Sequence, residues 1–182
     1  STPQEIDMSG NTPSTNLWSQ IAVSASDNFV CGIHQTTSEL FCWGKNSAGG
    51  LGNGLVGGPD VLKPAKVDMS GTSYSNSFVH VSIGDGQACG VHTNGRLFCW
   101  GEGSAGRLGI NDATGTDYAT PQEVDMSANG LYDNDFIKTS GGDDHMCALH
   151  SSGKIYCWGD DETGGGFPSG SFSALANADG TD

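Results

Sequence analysis

Cysteine and histidine recur together three times along this chain, in a spacing that could serve either disulfide or metal chemistry. In each copy a Cys stands three residues before a His, and a second Cys follows ten or eleven residues after the first. Thiolate and imidazole are common zinc ligands, whereas paired cysteines in an oxidising compartment form disulfides. All six cysteines of the 182-residue chain belong to these copies: Cys31, Cys42, Cys89, Cys99, Cys147 and Cys157.

The copies follow a fixed period of 58 residues, which also relates Asp27, Asp85 and Asp143. A second motif, Pro-x-x-x-Asp-Met-Ser, recurs in phase with the cysteine–histidine motif. A period of this size indicates a repeat architecture, in which each unit buries its apolar face against a neighbour. We therefore predict one repeat domain over residues 1–182. Its repeats cover about 1–62, 63–119 and 120–166, and a divergent tail covers 167–182.

Short strands separated by Gly, Asn, Asp and Ser predict an all-β fold. In the second copy they cover residues 78–83, 88–92, 96–100 and 122–126. If His92 pairs with Arg96 across a three-residue turn, Cys89 lies directly opposite Cys99. Opposed residues in an antiparallel pair are about 4.5–5.5 Å apart, which suits a disulfide. The other two copies place their cysteines in the same way, so we predict one cross-strand disulfide in each unit.

The zinc alternative conflicts with strand geometry. On a strand, residues three apart point to opposite faces, so Cys89 and His92 cannot bind one ion together. Disulfides with packed histidines are therefore favoured over a metal site, and we predict no metal centre. The acidic turns at Asp27, Asp85 and Asp143 are explained by local hydrogen bonding. Calcium, which prefers oxygen ligands, is the less favoured alternative there.

The remaining candidate side chains divide by whether they recur. An active site has no need of three equivalent copies, so we assign the recurring residues to packing between units. These residues are Trp43, Trp100, Trp158, His34, His92 and His150. Non-recurring aromatic residues are the candidates for contact with a partner: Tyr74, Tyr118, Tyr132, Phe167 and Phe172. No nucleophile–base pair or carboxylate dyad stands out, so we predict no catalytic residue, no cofactor and no small-molecule substrate.

Charge and composition narrow the class of partner. The net charge is −14 with only 7 basic residues, which disfavours nucleic acids and anionic membranes as partners. No segment approaches the roughly 20 apolar residues needed to cross a bilayer, so membrane insertion is not expected. The even number of cysteines at fixed spacing predicts a secreted or cell-surface location.

The sequence from Cys89-Gly-Val-His through Phe98-Cys-Trp-Gly to Gly106-Arg-Leu-Gly resembles the regulator of chromosome condensation repeat family, and the first copy has the same signature. This resemblance implies a β-propeller with four-stranded blades, commonly seven of them. The paired cysteines are similar to those of the extracellular members. The expected fold is thus an all-β partial propeller of three four-stranded antiparallel blades, each with one cross-strand disulfide.

The resemblance implies a non-catalytic extracellular scaffold for protein–protein contacts. A seven-bladed ring would need roughly 400 residues, so three repeats cannot close it. We therefore expect a fragment, an open arc, or a subunit that completes a ring or fibre with further copies. The alternative is a secreted or receptor-ectodomain module that binds a different protein. Guanine-nucleotide exchange, the activity of the family's founding member, is less favoured because of the disulfide pattern and the absence of a basic tail.

Thiol titration of the denatured, non-reduced chain distinguishes the two uses of cysteine. We expect no reactive thiol, because all six sulfur atoms are predicted to be paired. Release of about six thiols, with zinc in the supernatant, would instead show that the cysteines bind metal.

Overall fold

The computed structural model describes residues 2–127, 135–160 and 173–174. They form three four-stranded antiparallel sheets, called blades 1, 2 and 3 in chain order, so the predicted fold class is confirmed. The strands of blade 1 are β1 Trp18–Val23, β2 Phe29–His34, β3 Leu40–Gly44 and β4 Val61–Lys66. Those of blade 2 are β5 Phe78–Ile83, β6 Gln87–His92, β7 Leu97–Gly101 and β8 Tyr118–Glu123. Those of blade 3 are β9 Phe136–Gly141, β10 His145–His150, β11 Ile155–Gly159 and β12 Ser173–Ala174.

Within each blade the strands pair in chain order, and the first strands of neighbouring blades lie against each other. In blade 2 the second and third strands are joined by a tight turn. Gly95 in this turn has a φ of +84° and donates its N–H to the His92 carbonyl. A positive φ favours glycine, which has no Cβ to clash. The three sheets do not close into a ring. Within the described ranges, no helix has the length and apolar character needed to span a bilayer.

The central hairpin of every blade carries the predicted disulfide. Cys89 lies directly opposite Cys99 in the β6–β7 register, and the equivalent pairs are Cys31–Cys42 and Cys147–Cys157. All three disulfides have Cα atoms 4.1 Å apart, and no cysteine of the chain is free. Each link therefore closes a loop within one blade and fixes the register of its hairpin.

The fourth strand of blade 2 begins earlier than the sequence pattern predicts. It covers Tyr118–Glu123, whereas Val124 and Met126, which suggested a strand over 122–126, are buried just after its end. This strand lies at the outer edge of its sheet and carries Pro121; the equivalent strand of blade 1 carries Pro64. Proline is tolerated at an edge because its missing N–H leaves no ladder bond unmade.

Each blade has two faces, because alternate side chains of a strand point to opposite sides. We call the side that bears the disulfide the back face and the side that bears the recurring tryptophan the front face. The core is built between blades: the front face of blade 2 packs on the back face of blade 1, and blade 3 packs on blade 2 in the same way.

The tryptophans of blades 2 and 3 connect each front face to a glycine-rich loop of the preceding blade. Trp100 is fully buried and its Nε1 donates to the Gly50 carbonyl at 2.9 Å. Trp158 repeats the contact, donating to the Arg107 carbonyl at 2.9 Å. The residue after Trp100 must be glycine: Gly101 has a φ of +97°, and a Cβ there would lie 2.2 Å from the Gly86 carbonyl oxygen.

The substitution Trp100→Phe tests the contribution of this contact. It leaves the buried Gly50 carbonyl without its donor, so we expect the free energy of unfolding to fall by about 2 kcal/mol. Denaturant unfolding monitored by circular dichroism measures the change. Trp43→Phe is the matched control, because Trp43 is half-buried and no described carbonyl accepts its N–H. Equal losses in the two variants would contradict the assigned contribution of the Trp100–Gly50 bond.

Candidate functional site

Polar side chains on the first strands also connect neighbouring blades. The Gln20 amide binds both backbone groups of Val81, donating to the carbonyl at 2.9 Å and accepting from the N–H at 3.1 Å. His80 stands at the equivalent position of blade 2, and its Nδ1 accepts the backbone N–H of Thr139 at 3.3 Å. Neither contact can be predicted from the sequence, because each joins residues about 60 positions apart.

Arg107 is a buried cation at the junction of blades 2 and 3. Its guanidinium forms ion pairs with Asp144 at 2.7 Å and Glu102 at 3.3 Å, and donates to the Asp85 carbonyl. A buried charge requires such partners, because an unpaired one is costly to remove from water. The side chain therefore holds a loop of blade 2 to the first turn of blade 3.

The recurring histidines lie on the front faces, in clusters of aromatic rings. His92 makes edge contacts with Phe78 and Phe98, and its Nε2 lies 3.1 Å from the carbonyl of Ser75, in the segment that leads into its blade. His34 and His150 sit in equivalent clusters with Trp18 and Phe41, and with Phe136 and Tyr156. Five of the six recurring side chains, these histidines with Trp100 and Trp158, are therefore buried, whereas Trp43 is half-buried on the front face of blade 1.

The recurring aspartates bond to residues distant in the sequence, so the prediction that local hydrogen bonding within each turn explains them is wrong. The Asp27 carboxylate accepts from Ser47 at 3.0 Å and pairs with Lys45 at 3.2 Å. Asp85 accepts from Ser26, and its N–H donates to the Asp143 carbonyl at 3.1 Å. In the described part of the chain, no three acidic, histidine or cysteine side chains come close enough to hold a metal ion.

Of the five aromatic residues predicted to contact a partner, Tyr74 and Tyr118 lie within the described residues, and both are half-buried. Tyr74 packs against His92 and Phe98, under the guanidinium of Arg96, and lines an open cleft of about 460 Å³. The Tyr118 hydroxyl donates to Asp112 at 3.0 Å, and this bond, with a smaller effect of burial, raises the tyrosine pKa. Tyr132, Phe167 and Phe172 lie outside the described residues.

The largest change from one repeat to the next is the exposure of the front face. In blade 1 this face presents Ile21 and Val23, which are 61% and 59% exposed, together with half-buried Val30 and Trp43. The equivalent residues of blade 2 are covered by blade 1: Val81 (1% exposed), Ile83 (8%), Ala88 (0%) and Trp100 (0%). Within the described residues no blade covers this part of the front face of blade 1, whereas His34 and Phe41 on the same face are buried.

A second exposed apolar patch does not recur. Leu55, Val56 and Leu62 are all more than half exposed, and Leu62 reaches 88%. The buried Asn46 amide organises this loop by donating to the carbonyls of Leu55 and Gly57. Sequence periodicity does not reveal this patch, because the residues have no equivalents in the other copies and exposure depends on the surrounding fold.

Comparison with known protein families shows which family the chain belongs to. Models of the regulator of chromosome condensation (RCC1) repeat match residues 38–91 and 94–149, and a second model matches 78–107 and 136–164. The chain belongs to the RCC1 repeat family. The tryptophans, the glycine loops and the cysteine-bearing hairpins of blades 2 and 3 lie within the matched ranges, whereas strand β2 with Cys31 lies before them.

RCC1 repeats of similar sequence occur inside much larger proteins. The chain is 31% identical over 141 residues to the serine/threonine-protein kinase Nek9 of Mus musculus, covering 73% of this chain and 14% of the kinase. It is 30% identical over 131 residues to the E3 ubiquitin-protein ligase HERC2 of Homo sapiens, covering 70% of this chain and 2% of the ligase. The chain thus corresponds to a small part of these relatives.

Solved RCC1-type structures share the fold. Human WBSCR16 superimposes with a TM-score of 0.70 at 18% identity, covering 87% of this chain and 37% of that one. Yeast RCC1 (Prp20), solved bound to Kap60, gives a TM-score of 0.69 at 20% identity, covering 90% and 38%. At this level of identity the comparison establishes the fold alone.

His80 makes the contact between blades 2 and 3 sensitive to pH. Burial, and to a smaller extent the positive charge of Lys138, lowers the pKa of His80 below its ordinary value of 6.5. Nδ1 must be unprotonated to accept the Thr139 N–H. Folding therefore disfavours protonation of His80. The resulting stability is fully present above about pH 6.5 and is lost as the pH falls towards the lower pKa of the folded state.

The substitution His80→Gln copies the residue that blade 1 uses at this position. We expect the variant to retain the contact with Thr139 and to lose less stability than the wild type between about pH 7 and about pH 5. Unfolding midpoints of both proteins across this range measure the difference. Parallel pH profiles would show that His80 does not cause the acid sensitivity of this contact.

Proposed function

We propose that this chain is part of a non-catalytic, extracellular β-propeller scaffold whose function is to bind other protein surfaces. The observation that carries the proposal is the exposed apolar front face of blade 1, formed by Ile21, Val23, Val30 and Trp43. Contiguous apolar surface of this kind is typical of protein–protein contact sites. The family comparison agrees, because the yeast relative Prp20 is described with Kap60, Gsp1p and histones as partners.

The extracellular assignment is supported by the disulfides. Each blade depends on one link between neighbouring strands, at Cys31–Cys42, Cys89–Cys99 and Cys147–Cys157. Cytosolic thiol systems keep such pairs reduced, whereas secreted and cell-surface proteins retain them. The high negative charge favours solubility.

Self-association is the leading form of the proposed function, because the exposed front face has the chemistry of a surface that other blades bury. A second candidate is a module that binds a different protein. It is favoured by the patch of Leu55, Val56 and Leu62, which has no equivalent in the other copies and therefore no role in blade stacking. A secreted ligand-binding module or a receptor ectodomain would use a surface of this kind.

Crosslinking in the native medium tests the scaffold function. We expect covalent capture at stoichiometric yield of either a further copy or a single different protein. The double substitution Leu55→Asp/Leu62→Asp should abolish capture of a different protein, because it charges the non-recurring patch. Val79→Asp, at an exposed strand residue outside the patch, is the matched control. Recovery of only uncrosslinked single chains from an oxidising medium would contradict the proposal.

A further inference from the structure

The cleft beside Tyr74 lies between the loop that leads into blade 2 and the outer strand of that blade. The loop contributes residues 70–74, and the part of β8 at residues 121–123 forms the opposite wall, with the ring of Phe98 between them. Its volume of about 460 Å³ is in the range of small-molecule sites. The cleft is open to solvent, and polar groups make up most of its lining.

In blade 1 a side chain of the chain itself occupies the equivalent place. The Pro-x-x-x-Asp-Met-Ser motif aligns Asn11 with Thr72 and aligns Pro64 with Pro121. The Asn11 amide donates to the Pro64 carbonyl at 2.8 Å, between residues 53 positions apart. This bond joins the entry loop of blade 1 to the outer strand of the same blade.

Two residue differences between the repeats account for the cleft in blade 2. Thr72 stands in place of Asn11, and its hydroxyl turns back to donate to the Met69 carbonyl at 2.9 Å. The same hydroxyl accepts the N–H of Tyr74 at 3.1 Å. Tyr74 in turn replaces Pro13 and adds a half-buried ring to the wall. The loop of blade 2 thus holds its shape without an amide that reaches the outer strand.

The Pro121 carbonyl remains as an acceptor on the wall of the cleft. Among the described residues its side-chain donor is the amide of Gln122, the next residue, at 3.2 Å. That amide is shared with the Thr120 carbonyl at 3.1 Å. A carbonyl oxygen has two lone pairs, so it can accept a further hydrogen bond. Blade 1 shows which group fits this acceptor, namely an amide N–H that approaches from the opposite wall.

Arg96 and Glu123 place a donor and an acceptor together at the rim of the cleft. Their side chains form an ion pair, and the guanidinium carbon lies 5.2 Å from the centroid of the Tyr74 ring. A charged ligand would have to compete with this pair for one of its members. A hydroxyl group has no such conflict, because it can accept from the guanidinium and donate to the carboxylate at the same time.

These features favour a sugar over a protein as the occupant. Residues that dominate protein–protein binding insert aromatic or arginine side chains into well-packed, desolvated pockets. This cleft instead has an open, polar lining, in which the hydroxyls of Ser70 and Ser73 add to the groups of the rim. A sugar ring carries several hydroxyls for such groups, and its C–H bonds can pack against the ring of Tyr74.

We propose that this cleft binds a saccharide that carries an acetamido group. The amide N–H of the ligand donates to the Pro121 carbonyl, and its ring hydroxyls bond to Arg96 and Glu123. The inference goes beyond the scaffold function, because it concerns a different surface and a different class of ligand. The saccharide is bound and not converted, so the site requires no catalytic residue.

Saturation-transfer-difference NMR on the whole chain tests the proposal, with N-acetylglucosamine and N-acetylgalactosamine as probes. Glucose and galactose, which lack the acetamido group, are the matched control ligands. We expect transfer to the acetamido protons of at least one amino sugar. Titration should give this sugar an affinity at least about fivefold higher than that of its parent sugar, because the parent lacks the hydrogen bond to Pro121.

The substitution Thr72→Asn gives blade 2 the residue that blade 1 uses. The new amide is expected to donate to the Pro121 carbonyl and occupy the cleft, so binding of the amino sugar should weaken by at least about tenfold. Glu123→Gln replaces the charged acceptor and should weaken binding about fivefold. Its ion pair lies at the surface, so its loss costs little stability. Thr93→Asn, at an exposed residue outside the cleft, is the matched control and should bind as the wild type does.

The proposal is overturned if the wild type shows no transfer to either amino sugar, or if amino and parent sugars bind equally. Binding that Thr72→Asn leaves unchanged would also contradict it. Thermal unfolding midpoints show whether each variant is folded, and Glu123→Gln decides the matter if Thr72→Asn is not. None of these results bears on capture of a protein through Leu55 and Leu62, which the crosslinking experiment tests separately.

Discussion

Burial of the front faces of blades 2 and 3 by the backs of the preceding blades is the constraint on which this structure depends. A single four-stranded blade has apolar residues on both faces and cannot cover either of them alone. Stacking covers two fronts and two backs at the two described contacts, where Trp100 and Trp158 also find carbonyl partners. Stability in such an array is approximately the sum of unit and neighbour terms, so the end blades are expected to open before the middle one.

The disulfides complement this stacking because they act inside the unit. Each joins residues ten or eleven positions apart, so it stabilises one hairpin independently of its neighbours. The link also determines which way every side chain points, since a slip of one residue would exchange front and back. Register is thus secured locally, and the contacts of Gln20, His80 and Arg107 then align whole blades with one another.

Much of the hairpin could be predicted from the sequence, because its geometry is local. Turn length and the alternation of side chains were sufficient to pair Cys89 with Cys99, and the repeat pattern was sufficient to identify the family. The outer strand of blade 2 begins earlier in the structure than its sequence pattern predicts, because an edge strand with one bonded side has a weak apolar pattern. The exposure of Ile21 and Val23 could not be predicted, since the same residue types are buried in blades with a neighbour.

The prolines of the outer strands limit pairing at the edges of the sheets. Pro64 and Pro121 interrupt the row of backbone donors that an edge strand would otherwise offer to a passing chain. Sideways pairing into amyloid-like ribbons is therefore discouraged at these edges of the sheets.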